Sequence, residues 1–365
     1  MVLLWIESLL NSQSYNTPEL ILGVTSTIAI DAMGGDFGPQ VTIPASLECL
    51  KANPDLKLII VGDEVVLNEW LAQDHIQYSE RLIIHHASQQ VEMDESPQKA
   101  LRSKKDSSMR VAINQVRDGH ADACVSAGNT GALMAIARFV LKTIPGIDRP
   151  AIMSTLPSIF GHTHILDLGA NVDCTAEHLF QFAIMGEEVV KAVENIAEPK
   201  IGLLNIGEED MKGNEQVKAA GKLLEASSLN YIGYVEGNSL NAGNEKVDLI
   251  VTDGFVGNVA LKAIEGAAKM IGTKLKGAFS QNVFTKLAAV IASPVLKIFK
   301  QSVDPRMYNG ASFVGLRGLV IKSHGGADVL AFKTAIHLAE VEIEKDVTRK
   351  ISTKVATTLE NREEV

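Results

Sequence analysis

Seven short polar runs, each following an apolar stretch, carry glycine beside polar side chains. Glycine lets the main chain come close to a ligand, and a helix start that follows such a run attracts anions. Any one run also fits an ordinary turn with a capping side chain. Seven together predict a shared cleft for a phosphate-bearing substrate. The runs are Asp31–Pro39, Ala127–Ala132, Asp167–Asp173, Asn205–Glu209 with Lys212–Asn214, Glu236–Asn238, Asp253–Asn258 and Ser323–Gly326.

The run Ala127–Ala132 has the clearest pattern of an anion site. A strand, a loop bracketed by Gly128 and Gly131, and a helix start follow one another, with Asn129 or Thr130 as the helix cap. The spacing matches neither the Walker loop nor the dinucleotide-binding fingerprint. By itself this run predicts an anion site and nothing more specific.

Nucleophiles are weakly indicated. The sequence has neither the G-x-S-x-G nor the S-x-x-K pattern, and Cys174 has only His178, one helical turn on, as a base. Because a lone cysteine is more often an inert apolar residue, we expect no covalent cysteine intermediate.

Metal ligands and cofactors are not required by the sequence. We expect the pairs His85-His86 and His162-x-His164 to point to opposite faces if they lie in strands, which argues against a zinc site. No organic cofactor is implied. Four carboxylates leave Mg²⁺ open, namely those of Asp31, Asp167, Asp173 and Asp253.

The composition limits the function classes. A net charge of −10 over 365 residues argues against nucleic acid, which requires a basic face. An acidic partner would instead be met by a local basic patch, and Lys99, Arg102, Lys104, Lys105 and Arg110 form one. The three cysteines are widely spaced and odd in number, so we expect a reducing cytosol rather than a disulfide framework.

The order of apolar runs and helical patterns predicts an α/β fold. Strands without polar alternation, separated by helices, are typical of a mainly parallel sheet covered on both faces. Predicted strands are Ile28–Asp31, Leu58–Val61, Leu82–His85, Ala123–Ser126, Ala151–Thr155, His164–Asp167, Ile201–Asn205, Tyr231–Val235, Leu249–Thr252 and Leu319–Ser323. Predicted helices include Thr42–Asn53, Gly131–Leu141, Ala176–Ile196 and Glu215–Ala226.

Three further segments complete the predicted organisation. Residues 1–27 are an extension without the basic start of a signal peptide, and residues 351–365 are a polar tail. Between them, residues 28–350 form a two-lobed α/β domain with a helical arm at about 262–303. Residues 266–303 contain no Asp or Glu but several lysines, and apolar residues recur from Phe279 to Ile291 until Pro294 breaks the pattern. Two ordinary packed helices, a membrane-surface contact or a subunit interface all fit this arm.

With these runs in order, the chain closely resembles the bacterial phosphate acyltransferases of phospholipid synthesis. The resemblance runs from residue 28 to about residue 340. It is carried by IAIDAMGGDFGP, KALRSKKDSSM, VSAGNTGALMA, RPAI, LDLGANVDC, IGLLNIGEE with KGNE, VEGN, VTDGFVGNVALK and KSHGGAD.

The resemblance implies both a fold and an activity. The fold is a three-layer α/β/α unit similar to the isocitrate/isopropylmalate dehydrogenase-like group, assembled as a homodimer. The activity is transfer of a fatty acyl group from acyl carrier protein to inorganic phosphate, and a membrane acyltransferase then passes the acyl phosphate to glycerol 3-phosphate. The implied location is the cytoplasm, with peripheral association at the membrane through residues 266–303.

This chemistry suggests roles for residues of the polar runs. Phosphate must be fixed, the oxyanion stabilised and the leaving thiolate protonated. His324 is the candidate acid, since an imidazole titrates near neutral pH, and Asn171 and Asp253 are further catalytic candidates. Candidates for binding phosphate or substrate are Asp31, Gly34, Gly35, Asp36, Asn129, Thr130, Gly131, Asp173, Asn205, Glu208, Lys212, Asn214, Gly254, Asn258 and Lys262.

Other functions remain open at this stage. A phosphotransacetylase-like or dehydrogenase-like activity fits the same scaffold, and so does a membrane-docked protein without turnover. The polar strand ends argue against the last of these, because a pure scaffold does not need them.

Overall fold

The computed structural model describes residues 25–72 and 80–363, and in them eleven strands form one sheet. The order across the sheet is β3-β2-β1-β4-β11-β10-β5-β6-β9-β7-β8. The strands are β1 Ser26–Asp31, β2 Leu56–Gly62, β3 Leu82–His86, β4 Ala123–Ser126, β5 Ala151–Ser158, β6 Gly161–Leu166, β7 Ile201–Leu204, β8 Tyr231–Val235, β9 Leu249–Val251, β10 Ala311–Val314 and β11 Leu319–Lys322.

Helices cover both faces of the sheet, which confirms the predicted three-layer α/β/α architecture. Alternate residues of β1 show this, because Ile28 and Ile30 join one apolar cluster and Ala29 joins another. The helices are α1 Pro39–Ala52, α2 Glu64–Leu71, α3 Pro97–Ser103, α4 Ser108–Arg117, α5 Thr130–Leu141, α6 Ala176–Glu194, α7 Glu215–Glu225, α8 Gly254–Phe279, α9 Val283–Ser302, α10 Val329–Glu344 and α11 Val347–Glu363.

The sheet reverses direction in its middle. Strands β3, β2, β1, β4 and β11 are parallel to one another, and so are β6, β9, β7 and β8. The pairings β11–β10, β10–β5 and β5–β6, which connect the two sets, are all antiparallel. Three reversals leave the two parallel sets pointing in opposite directions. Along the strand direction, the carboxyl ends of one parallel set therefore lie at the opposite side of the sheet from the carboxyl ends of the other set.

This reversal corrects the prediction of one cleft shared by seven strand ends. That prediction requires all the strands to point the same way. The sequence pattern does not predict β10, Ala311–Val314, which takes part in two of the antiparallel pairings. The runs after β1, β4 and β11 form one group, and the runs after β6, β7, β8 and β9 form a second.

The predicted domain limits shift at both ends. β1 begins at Ser26, and residues 1–24 of the predicted extension lie outside the described residues. The predicted tail, residues 351–365, is helical as far as Glu363. Because Ile351 and Val355 are buried in the apolar cluster around α6, the fold continues past residue 350.

The arm consists of α8 and α9, and its apolar residues are exposed. Val283, Phe284 and Ile291 are 78%, 83% and 74% exposed, so the arm does not pack as an ordinary helix pair within this chain. Pro294 lies inside α9, which continues to Ser302, so the proline that interrupts the apolar spacing does not end the helix. No helix in the described part of the chain is long and apolar enough to cross a bilayer.

Candidate functional site

The loops after β1, β4 and β11 pack directly on one another, and we call them the triple-loop group. A β-carbon placed on Gly35 would lie 2.9 Å from Ala127 Cβ and 3.0 Å from Gly325 O. One placed on Gly34 would lie 2.5 Å from Asp31 Oδ2. Gly35 also has a φ of +91°, which disfavours larger residues. These predicted glycines are therefore needed to bring the loops together.

Two opposite charges, Asp31 and Lys322, are buried beneath the triple-loop group. Ser126 Oγ donates to Asp31 Oδ2 at 2.6 Å, whereas Asp31 Oδ1 has no hydrogen-bond partner among the described residues. Lys322 Nζ donates to Ala127 O at 3.2 Å and also to Ser323 O. Asp31, predicted to bind phosphate, is only 1% exposed and instead braces the loops from below.

Burial shifts the pKa of both groups toward the neutral form. Desolvation raises the pKa of Asp31, against the opposing hydrogen bonds of Ser108 and Ser126 and the charge of Lys322. Desolvation also lowers the pKa of Lys322 to about 8, although Asp31 and Asp36 act in the other direction. In each case the loss of water outweighs the attraction between the two charges.

The start of α5 forms one side of the triple-loop group. Asn129 caps the helix by accepting from Ala132 N at 3.0 Å, and its amide donates to Met93 O and Glu95 O. Its side chain thus holds the start of α5 in place, and the contact of Asn129 with phosphate stays a prediction. Thr130 and Gly131 follow it and are exposed, and their N–H groups have no acceptor within the helix.

His324 and Asp36 lie at the exposed rim of the same group. His324 Nδ1 accepts from Gly326 N at 3.1 Å, which assigns the imidazole proton to Nε2. Asp36 N donates to Gly325 O at 2.9 Å, and a β-carbon on Gly326 would lie 3.2 Å from Asp36 Oδ2. The loop after β11 thus places an exposed N–H donor beside the first glycine loop.

The second group is organised by Asp167, which is completely buried after β6. Its carboxylate accepts from the main-chain N–H groups of Ile152, Gly169, Ala170 and Asn171 and from Asn171 Nδ2. Asn171 Nδ2 also donates to Pro150 O at 2.8 Å. Both amide hydrogens of Asn171 are thus used inside the protein, and its catalytic role stays a prediction.

The start of α8 packs on the Asp167 loop. Asp253 caps α8 by accepting from Val256 N at 2.9 Å, and Gly254 N donates to Asn171 O at 2.8 Å. A β-carbon on Gly257 would overlap Asp167 O, so this glycine is required for the contact. Asp253, a predicted catalytic residue, therefore acts as a helix cap.

Several predicted binding residues of the second group stay on its surface. Asn258 and Asp173 are exposed, and Lys262 pairs with Glu265 at 2.8 Å. Arg149, which the site prediction omitted, donates to Asp173 O at 3.1 Å. These residues offer polar atoms to solvent without converging on a single point.

The loop after β7 is part of the same end of the sheet, because β7 runs parallel to β9. Asn205 accepts from Ile206 N and donates to Lys212 O, which ties the loop to itself. Asn214 caps α7 by accepting from Val217 N at 2.8 Å. Glu208 is exposed and forms part of the loop surface.

Cys174 has the properties of a structural thiol. It is 8% exposed, and burial together with the charges of Asp167 and Asp253 raises its pKa to about 12. His178 does not serve it as a base, because His178 Nδ1 accepts from Thr175 N in a capping box. The geometry argues against a cysteine nucleophile, as the sequence predicted.

The prediction for the second histidine pair is wrong. His162 and His164 are two residues apart on β6, and residues at that spacing share one face of a strand. Their Nε2 atoms lie 3.0 and 2.9 Å from the same oxygen, Glu194 Oε1. The pair therefore converges on a carboxylate of α6.

Sequence reasoning missed two functional candidates, Lys322 and Arg149. Lys322 is the single charged residue in the predicted strand Leu319–Ser323, which was a usable signal, since an unpaired buried lysine is costly. Arg149 precedes β5 and is the first residue of the RPAI run, but no polar strand end marked it as a site residue.

Comparison with known proteins places the chain in a family. The profile of the family described as "Fatty acid synthesis protein" matches residues 26–350. A curated relative, the phosphate acyltransferase of Methylococcus capsulatus, is 61% identical over 330 residues, which are 90% of this chain and 97% of the relative.

Solved structures confirm the fold. The phosphotransacetylase of Streptococcus pyogenes has a TM-score of 0.60 at 16% identity, covering 89% of this chain and 95% of its own. A 4-hydroxythreonine-4-phosphate dehydrogenase of Klebsiella pneumoniae has a TM-score of 0.50 at 13% identity, covering 86% and 98%. This likeness supports the dehydrogenase-like scaffold alone, and the relationship rests on the sequence: the chain belongs to the fatty acid synthesis protein family, among the phosphate acyltransferases.

Proposed function

We propose that the chain transfers a fatty acyl group from the thioester of acyl carrier protein to inorganic phosphate, forming acyl phosphate for phospholipid synthesis. Transfer to phosphate follows from the family. We assign the reaction site to the triple-loop group, because it combines open helix N–H groups, close-packed glycine loops and an exposed imidazole.

Phosphate binds at the start of α5. The N–H groups of Thr130 and Gly131 are free to donate to it, and the positive end of the helix dipole favours an anion. The main chain at Gly34 and Gly35 forms the facing wall. The Asp31 carboxylate, enclosed below these glycines, does not oppose the charge of phosphate from within the pocket.

The reaction needs no covalent enzyme intermediate. A phosphate oxygen attacks the thioester carbonyl carbon, and the C–S bond of the tetrahedral intermediate then breaks. The departing thiolate accepts a hydrogen bond from His324 Nε2 and takes the proton that the attacking hydrogen phosphate loses, while main-chain N–H groups of the glycine loops stabilise the oxyanion. We expect sequential kinetics, because the buried Cys174 thiol is a poor nucleophile.

The carrier docks at the basic patch on and after α3. Lys99, Arg102 and Lys105 are exposed there, and Pro97 at the start of α3 would lie 3.0 Å from a β-carbon on Gly131. The basic patch thus borders the proposed phosphate pocket. An acidic carrier protein would be attracted to it and would present its thioester to the same loops.

The arm provides contacts to the membrane surface and to a second copy of the chain. Its exposed apolar residues include Leu287 and Ile298, each 58% exposed. Lysines among them complement anionic lipid. They are Lys269, Lys274, Lys276, Lys286, Lys297 and Lys300. We infer a homodimer that works in the cytoplasm and docks peripherally, delivering acyl phosphate to a membrane glycerol-3-phosphate acyltransferase.

The function is tested by supplying acyl carrier protein thioester with and without phosphate. The proposal requires acyl phosphate and free carrier in equal amounts, with no release of carrier when phosphate is omitted. A burst of free carrier without phosphate would contradict the sequential mechanism. If only short-chain acyl-coenzyme A reacts, the phosphotransacetylase-like alternative holds instead. A change in nicotinamide absorbance with hydroxy acids would support the dehydrogenase-like alternative, and no turnover with any of these substrates would support a scaffold.

A further inference from the structure

The β5–β6 hairpin and the end of α6 hold a cluster of metal-ligand type outside both strand-end groups. His162 and His164 lie on one face of β6, with their ring centroids 5.5 Å apart. Glu194, the last residue of α6, places Oε1 at 3.0 Å from His162 Nε2 and 2.9 Å from His164 Nε2. One ligand atom from each of the three residues lies within 4.8 Å of the other two.

These distances fit a shared metal ion. Ligands around a tetrahedral Zn²⁺ at bonds of about 2.0–2.1 Å are roughly 3.3 Å apart, so small side-chain adjustments would admit an ion among the three atoms. Two histidines and one carboxylate are a recurrent ligand set for divalent transition metals. The side chain of His162 is 33% exposed, which leaves an entry path and room for a solvent ligand.

The other ring nitrogen of His164 is held by a second residue. His164 Nδ1 lies 3.1 Å from Thr155 Oγ1, the residue that faces His164 on β5. Histidine ligands of metals commonly have such a partner, because it fixes the tautomer and the orientation of the ring. The His164 side chain is 8% exposed, so its orientation is fixed by packing as well.

We propose that His162, His164 and Glu194 form a binding site for a divalent transition-metal ion such as Zn²⁺, which ties the β5–β6 hairpin to the end of α6. The ion is structural rather than catalytic. Along the sheet, β6 is three strand spacings, about 14 Å, from β11, whose loop carries His324. The site is therefore independent of the proposed acyl transfer, and its test does not rely on turnover.

The test is metal titration of the full-length chain after removal of bound metal with a chelator. We expect the wild type to bind one equivalent of Zn²⁺ in competition with a chromogenic chelator, and Co²⁺ to give visible absorption at the same site. Zn²⁺ should also raise the melting temperature, because it binds the folded state.

Three variants identify the ligands. His162→Gln and Glu194→Gln should each weaken Zn²⁺ binding by more than roughly 100-fold, and Thr155→Val by about 10-fold, as expected for loss of a ligand and of its supporting contact. His85→Ala, which removes a strand histidine elsewhere, is the matched control and should bind like the wild type. Circular dichroism of each metal-free variant confirms that it is folded.

Two results would overturn the proposal. One is a wild-type chain that takes up no stoichiometric Zn²⁺ or Co²⁺, which would leave the three residues as a hydrogen-bonded cluster. The other is the finding that the single variants His162→Gln and Glu194→Gln are both folded and that each binds Zn²⁺ as tightly as the wild type.

Discussion

Two buried aspartates, Asp31 after β1 and Asp167 after β6, are held in opposite ways. Asp167 accepts hydrogen bonds from four main-chain N–H groups and one side-chain amide, most of them from its own loop. Asp31 accepts from Ser126 and is also stabilised by Ser108, its Oδ1 has no close hydrogen-bond partner among the described residues, and it shares its buried space with Lys322.

This difference separates a structural loop from a reactive one. A carboxylate saturated by its own loop rigidifies the loop and leaves little capacity for a ligand. An incompletely satisfied buried charge is costly, and such groups concentrate at functional sites. This contrast supports our proposal that the triple-loop group, with its exposed imidazole and helix start, carries the reaction, and that the second group supports the fold.

Removing the imidazole of the triple-loop group should give the largest effect. We expect His324→Ala to lower kcat for acyl phosphate formation by about 10²–10³-fold, because the thiolate then leaves without a positioned hydrogen-bond donor. Steady-state rates with acyl carrier protein thioester measure this. His120→Ala, an exposed histidine elsewhere, should leave the rate unchanged. Full activity in His324→Ala would contradict the proposal that the triple-loop group catalyses the reaction.

Disturbing the second group should act on stability. Gly257→Ala places a methyl group against Asp167 O and should lower the free energy of unfolding by roughly 2–3 kcal/mol. Urea denaturation followed by circular dichroism measures the change. Gly272→Ala, in the same helix with open space around it, should be neutral or stabilising by about 1 kcal/mol. Equal stability of both variants would mean that α8 does not pack on the Asp167 loop.

The Lys322 charge should give a smaller, pH-dependent effect. Its pKa is about 8 in the folded chain and 10.5 as an ordinary lysine, so between these values the unfolded chain binds more protons. Stability should therefore rise with pH across that window, by an amount on the order of 1–3 kcal/mol. Lys322→Met should abolish the rise. Unfolding curves at pH 8 and pH 10 test this, and an identical pH dependence in both proteins would show that burial does not lower the pKa of Lys322.

Substituting lysines of the arm should give the smallest effect per residue, and lysines of the sheet domain serve as the comparison. Lys286→Gln, Lys297→Gln and Lys300→Gln together should weaken binding to phosphatidylglycerol vesicles by about 1 kcal/mol per lysine, since each loses its attraction to anionic lipid. Vesicle cosedimentation measures this. The matched control removes three lysines of the sheet domain, Lys57, Lys222 and Lys350. Equal loss in both triple variants would indicate a general charge effect rather than docking by the arm.

The sequence predicted the fold class and nearly all the strands, because buried parallel strands leave continuous apolar runs. It missed β10, whose residues Ala-Ser-Phe-Val do not form a continuous apolar run because Ser312 interrupts it. Without β10 the sequence does not predict that the sheet reverses direction. It therefore assigns the triple-loop group and the second group to one cleft. The sequence also does not predict the hydrogen-bond partners of polar side chains. Asn129 and Asn171 have the residue type of a substrate donor, yet both amides are used inside the protein.

The position of bound phosphate tests the central claim most directly. A crystal structure of the chain grown with inorganic phosphate should show the anion within hydrogen-bond distance of Thr130 N and Gly131 N, with His324 Nε2 facing the same space. Phosphate bound instead at Arg149 and Asn258, with the start of α5 unoccupied, would contradict the account and assign the reaction to the second group.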